Sequence, residues 1–99
     1  MQILNKENII EFLQKNKPYL HDKYGVESIG LMGSYARDEQ TEESDIDFIV
    51  EFDKTDFSKL VDLTSYLEDY LNKKVDIIIN SKYLNKKFIK LNEKDTLYA

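Results

Sequence analysis

Apolar residues return every three or four positions near the start of the chain, at Ile9, Ile10, Leu13, Leu20 and Tyr24, with lysines and glutamates between them. That spacing predicts an amphipathic helix over residues 6–23, which Pro18 should kink or split by removing an interior hydrogen bond. Gly25 is placed to cap it. The run from Val26 to Met32 predicts a short buried strand. A helical turn is expected after Gly33-Ser34, reaching about Glu39, and 38–44 predicts a solvated acidic loop. From Asp45 to Phe52 the pattern changes to alternation: Ile46, Phe48, Val50 and Phe52 on one face, Asp45, Asp47, Ile49 and Glu51 on the other. Thr55 or Asp56 can cap a third helical segment that runs to about Asn72. Its apolar stripe is Phe57, Leu60, Val61, Leu63, Leu67, Tyr70 and Leu71. Lys73 and Lys74 suit the negative end of that helix. Val75–Ile79 predicts a third strand, 81–91 a last helix carrying Tyr83, Leu84, Phe88 and Leu91, and 96–99 a tail that packs on the sheet or adds a short strand.

Helix-joined strands at 45–52 and 75–79 should lie parallel through a right-handed crossover, and the strand before them should pair antiparallel. The expectation is an α+β fold: a small mixed β-sheet packed with helices. Ninety-nine residues make one domain, 1–99, with room for one modest core. No apolar run approaches the length of a membrane span, and the first residues lack a signal-peptide pattern. Cysteine is absent, which removes thiolate metal sites and disulfides and favours a cytoplasmic setting.

The net charge of −5 gives the chain no general pull on nucleic acid and argues against direct binding to it. Thirteen of the fourteen basic residues are lysines, and Arg37 is the sole arginine. Arginine is the better bidentate partner for phosphate, yet a lone arginine on a helix serves equally well in a surface salt bridge. His21, the only histidine, has no ligand-like company and is taken as a surface residue.

The chemistry is concentrated between Gly33 and Asp47. Asp45 and Asp47, two apart in a strand, project from one face and can reach the same metal ions. Asp76 is expensive near the start of an otherwise apolar strand unless it is paired or binds metal. The parallel arrangement sets the starting ends of both strands together, and the antiparallel neighbour delivers Gly33-Ser34 to the same end. Crowded carboxylates repel one another unless cations neutralise them. An all-oxygen donor set favours Mg²⁺ or Mn²⁺ over zinc. Two such ions ~3.5–4 Å apart would clamp the attacking and leaving oxygens of an in-line phosphoryl or nucleotidyl transfer. Gly33 and Ser34 would hold the terminal phosphates with backbone N–H groups and a hydroxyl, and Arg37 would neutralise charge on the nucleotide or incoming substrate. Each motif taken alone has a plain reading: Asp-x-Asp is common at loop–strand junctions, and Asp76 alone would serve as a helix-cap partner or an edge-strand gatekeeper.

Gly33-Ser34-Tyr35-Ala36-Arg37, then Ser44-Asp45-Ile46-Asp47-Phe48-Ile49-Val50, and later Val75-Asp76-Ile77 resemble the minimal nucleotidyltransferases of the DNA polymerase β superfamily. Many relatives carry glycine where this chain has Asp38, a departure that adds negative charge beside the phosphate loop. The resemblance implies a polymerase β-like nucleotidyltransferase fold. It also implies an antitoxin encoded beside a HEPN-domain ribonuclease toxin, and transfer of AMP from ATP to a tyrosine of that toxin. Lys86, Lys87 and Lys90 could help hold nucleotide or partner, or form a solvated face. Two alternatives stay open: neutralisation of the toxin by stoichiometric binding, and transfer to a small molecule or RNA terminus. So small a core also leaves room for a homo- or hetero-oligomer.

Overall fold

The computed structural model describes residues 4–53, 57–80 and 95–99, with Phe57 described by its backbone alone. The expected last helix with its three lysines, and the capping pair Thr55 and Asp56, lie outside the described residues.

The first helix, α1 (Lys6–Tyr24), begins where the Asn5 side chain accepts a hydrogen bond from the Asn8 N–H at 2.8 Å. It is not split at Pro18. Pro18 and Gln14 are both exposed, so water can take the Gln14 carbonyl that loses its partner. Gly25 ends the helix at φ 71°, its N–H returning to the His21 carbonyl at 3.0 Å. Then come β1 (Val26–Met32), the single turn α2 (Gly33–Ala36), β2 (Ile46–Phe52), α3 (Phe57–Leu71), β3 (Val75–Ile79) and β4 (Leu97–Tyr98). α2 is shorter than the expected turn, and β2 starts one residue after Asp45.

The strands stand in the order β3-β2-β1-β4. β1 is antiparallel to both β2 and β4, and β2 is parallel to β3. The mixed sheet and the parallel pairing of β2 with β3 are as the pattern of elements requires, and the tail supplies the added strand. One sheet face carries Ile29, Leu31, Ile46, Phe48, Val50 and Val75, packed with Ile9, Leu13 and Leu20 of α1 and Leu63, Leu67 and Leu71 of α3. At ~25 cal/mol per Å² this apolar layer is the dominant stabilising term. The opposite face is not simply wet: Ile49, expected among polar neighbours, is 3% exposed.

Two residues of the expected α3 stripe lie outside the core: Val61 is 63% and Tyr70 62% exposed. At ~100° per residue, Val61 stands about 200° from Leu63, on the far side of the helix. Tyr70 is covered on one face only, by the Phe12 ring at 3.9 Å between centroids.

Asp38, where many relatives carry glycine, has φ 60°. A short polar side chain tolerates this left-handed backbone, but a β-branched one does not. Asp38→Gly should leave stability within about 0.5 kcal/mol of the wild type, and Asp38→Val should lower it by about 1–2 kcal/mol, measured by urea unfolding.

Candidate active site

Three strand ends meet at one end of the sheet. Asp47, the second residue of β2, is the register partner of Asp76, the second residue of β3. In parallel strands such partners project from the same face, so topology alone sets the two carboxylates side by side. Asp47 also pairs with Met32 at the close of β1, which brings Gly33 over it. Gly33 has φ 70°, and a Cβ built there would strike Asp47 Oδ2 and lie 3.3 Å from its Cγ. Glycine is required here for backbone conformation and for close approach together.

Asp47 is half-buried, and its carboxyl is pushed above the ordinary aspartate range. Burial is the largest cause, followed by the negative charges of Asp76 and Asp45, with Arg37 pulling the other way. Asp45 sits just before β2, half-buried, its Oδ2 3.9 Å from Lys74 Nζ. Asp76 is exposed. Ser34 is half-buried in α2, and its carbonyl accepts from the Glu39 N–H at 2.8 Å. Arg37 is engaged on the surface, its Nε 3.2 Å from Glu39 Oε2. The surface salt-bridge reading of the arginine is the one seen, a pair that is weak in solvent, and its positive charge is also felt at Asp47.

The donor set at this end is oxygen only. As the side chains stand, no three Asp, Glu or His residues among the described residues close into a ready metal cage. The excess negative charge that lifts the Asp47 carboxyl is nevertheless what a hard divalent cation offsets, so the residues fit such an ion.

Two supporting residues were not legible as such. Glu68 on α3 accepts a hydrogen bond from the Val75 N–H at 3.0 Å, tying down β3 one residue before Asp76. Lys73, placed by its sequence at the helix dipole, instead lies beyond the end of α3 and donates to the carbonyls of Glu42 at 2.6 Å and Ser44 at 3.1 Å. Neither contact follows a period, so no local pattern announces it.

A mixed sheet whose central strand β2 carries Asp47 beside Asp76 of its parallel neighbour, with Asp45 just ahead of the strand and a glycine-serine turn at the same end, has the layout of a nucleotidyltransferase. Residues 7–98 match the family "Polymerase beta, Nucleotidyltransferase", and the chain belongs to it. It is 50% identical to the "Putative protein adenylyltransferase MJ1379" of Methanocaldococcus jannaschii, over 92% of this chain and 94% of that protein. It is 38% identical to the protein adenylyltransferase MntA of Thermococcus cleftensis, over 82% of this chain and 83% of that one. A solved structure, "Crystal structure of the toxin-antitoxin with AMP-PNP", superposes with a TM-score of 0.55 at 31% identity, covering 77% of this chain; the chain spans 57% of that one. Among the described residues no helix is long and apolar enough to cross a membrane.

Proposed function

We propose that this nucleotidyltransferase moves AMP from ATP to a tyrosine hydroxyl of a HEPN-domain toxin, and so acts as an antitoxin. The observation that carries this reading is the Asp47–Asp76 register pair, with Asp45 two residues upstream and Gly33 pressed against Asp47. Relatives named protein adenylyltransferase, and a structural neighbour solved as a toxin–antitoxin with AMP-PNP, support the nucleotide and the kind of partner.

Asp45, Asp47 and Asp76 would hold two Mg²⁺ ions, whose positive charge offsets that of the triphosphate and of the developing oxyanions. Gly33 and Ser34 hold the terminal phosphates, and Arg37 adds a positive charge that Glu39 restrains. The tyrosine oxygen attacks the α-phosphorus in line, the bond from that phosphorus to the bridging oxygen breaks, and pyrophosphate leaves with the electron pair. Asp76, open to solvent at the edge of the site, accepts the phenolic proton. Asp45 and Asp47 keep the reacting groups in register, so that positioning adds to the electrostatic stabilisation.

The test incubates the protein with ATP labelled at the α-phosphate, Mg²⁺ and lysate of the native host. The expected result is one labelled protein band, with AMP on a tyrosine by mass spectrometry. An unlabelled toxin that the protein still inhibits would overturn transfer in favour of stoichiometric binding. Label on RNA or a small molecule without any protein acceptor would overturn the proposed substrate.

A further inference from the structure

The loop that delivers Asp45 is held from outside its own strand. Thr41 to Ser44 is closed on itself: the Thr41 N–H donates to Ser44 Oγ at 2.9 Å, the Ser44 N–H to the Thr41 carbonyl at 3.1 Å, and the Glu43 N–H to Thr41 Oγ1 at 3.3 Å. Those bonds use the loop's inward groups and leave the carbonyls of Glu42 and Ser44. Both are taken by the Lys73 ammonium, a residue 31 and 29 positions away in sequence. One residue further on, the Ile46 N–H donates to the Lys74 carbonyl at 3.0 Å. The turn between α3 and β3 is thereby stapled to the loop before β2, at the point where Asp45 and Asp76 must share a site. The turn's own geometry is set by Asn72 at φ 56°, whose N–H returns to the Glu68 carbonyl at 2.8 Å.

We infer that Lys73 is a positioning residue for nucleotidyl transfer: by bridging the Glu42 and Ser44 carbonyls it fixes Asp45 relative to Asp76. The inference rests on the proposed reading of the three aspartates as the reactive centre. A charged donor is suited to this task. An ammonium has three hydrogens and bonds to carbonyl oxygen more strongly than a neutral donor would; the bond to Ser44 is partly buried, whereas the one to Glu42 is open to water. Its neighbour Lys74 is different in kind: its ammonium is exposed and stands 3.9 Å from Asp45, a distance and setting in which an ion pair adds little. The acidic segment 38–44 is solvated as expected, but its stretch from Thr41 to Ser44 is not loose. It is a bonded turn whose charged side chains face water and whose backbone is gripped by a lysine.

The test compares Lys73→Met and Lys73→Arg with the wild type, and uses Lys15→Met as a control that removes the same charge on α1. Two measurements are made: transfer rate against Mg²⁺ concentration, and amide hydrogen exchange in protein free of metal and nucleotide. Lys73→Met should lower transfer by ~10- to 100-fold and raise the Mg²⁺ concentration needed for half-maximal rate, as loss of a supporting contact to a ligand does. Exchange should quicken at residues 41–46 and not across the sheet core. Lys73→Arg should recover most of both, since guanidinium can also bridge two carbonyls, and Lys15→Met should match the wild type. Wild-type transfer and exchange in Lys73→Met would overturn the inference, as would faster exchange spread evenly over the whole sheet, the mark of a merely stabilising residue. If the wild type transfers nothing under any condition, the proposed function itself fails, a result recognisable because it does not depend on Lys73.

Discussion

Replacing Asp47 with asparagine should reduce nucleotidyl transfer by at least ~10³-fold while leaving the metal-free protein no less stable than the wild type. The loss follows from removing a central carboxylate of the proposed site, worth about 4 kcal/mol in the transition state at 1.36 kcal/mol per factor of ten. The retained stability follows from electrostatics. Burial and the charges of Asp76 and Asp45 hold the Asp47 carboxyl above its ordinary range, so its ionised form is unfavourable in the folded protein. The sign is fixed by linkage: between the unfolded and the raised folded pKa the native state binds more protons, so stability falls as pH rises through that window. Above the window the penalty is fully present; below it Asp47 is protonated in both states and the penalty is gone. Melting temperatures of the wild type and Asp47→Asn should therefore converge as pH drops through the window, and the variant should be the equal or better at neutral pH. Added Mg²⁺ should raise the melting temperature of the wild type well above its effect on the variant. An asparagine variant that melts several degrees lower at neutral pH without metal would contradict the electrostatic reading of the site.

The parts of this structure that were legible in the sequence are those governed by period and connection. Helical spacing located α1 and α3, alternation located β2, and the helix between β2 and β3 dictated parallel pairing and therefore the meeting of Asp47 with Asp76. Even the tail strand β4 was within reach, since a short apolar segment beside a sheet edge has few other places to go. What was not legible depends on contacts between distant residues. Val61 and Tyr70 fit an apolar stripe by type, but the helix turns them away from the core or leaves them covered on one face only. Pro18 left α1 continuous at a point where both it and Gln14, four residues earlier, are exposed, a matter of exposure that residue type does not encode. Lys73 and Glu68 hold backbone groups 29–31 and seven residues away, and such side-chain-to-backbone bonds leave no periodic trace. At the site the gathering of the carboxylates was predictable from topology. Their side-chain directions were not: Asp45 stands near Lys74 and Asp76 is exposed, details set by local charge and solvent.

Gly33→Ala should combine two penalties that a second substitution can separate. The first is conformational: at φ 70° a Cβ crowds its own backbone, which costs about 1 kcal/mol wherever it occurs. The second is steric and specific to this site, because the new methyl would occupy the space of the Asp47 carboxylate. Together they should lower unfolding free energy by about 2 kcal/mol or more, since forcing atoms into a packed contact adds about 1–3 kcal/mol on its own. Transfer should fall ~10²-fold or further, as expected when a reacting constellation is displaced by about an ångström. In an Asp47→Ala background the carboxylate is gone, so Gly33→Ala should then cost only the conformational part. Urea unfolding of the four proteins in this cycle measures the difference as a coupling energy of about 1 kcal/mol or more. The transfer losses should be far from additive, because each single substitution already disables the same carboxylate. A Gly33→Ala cost that is unchanged by Asp47→Ala would mean the glycine serves the turn alone. The close approach between the β1 exit and Asp47, on which the phosphate-holding role of Gly33 depends, would then have to be abandoned.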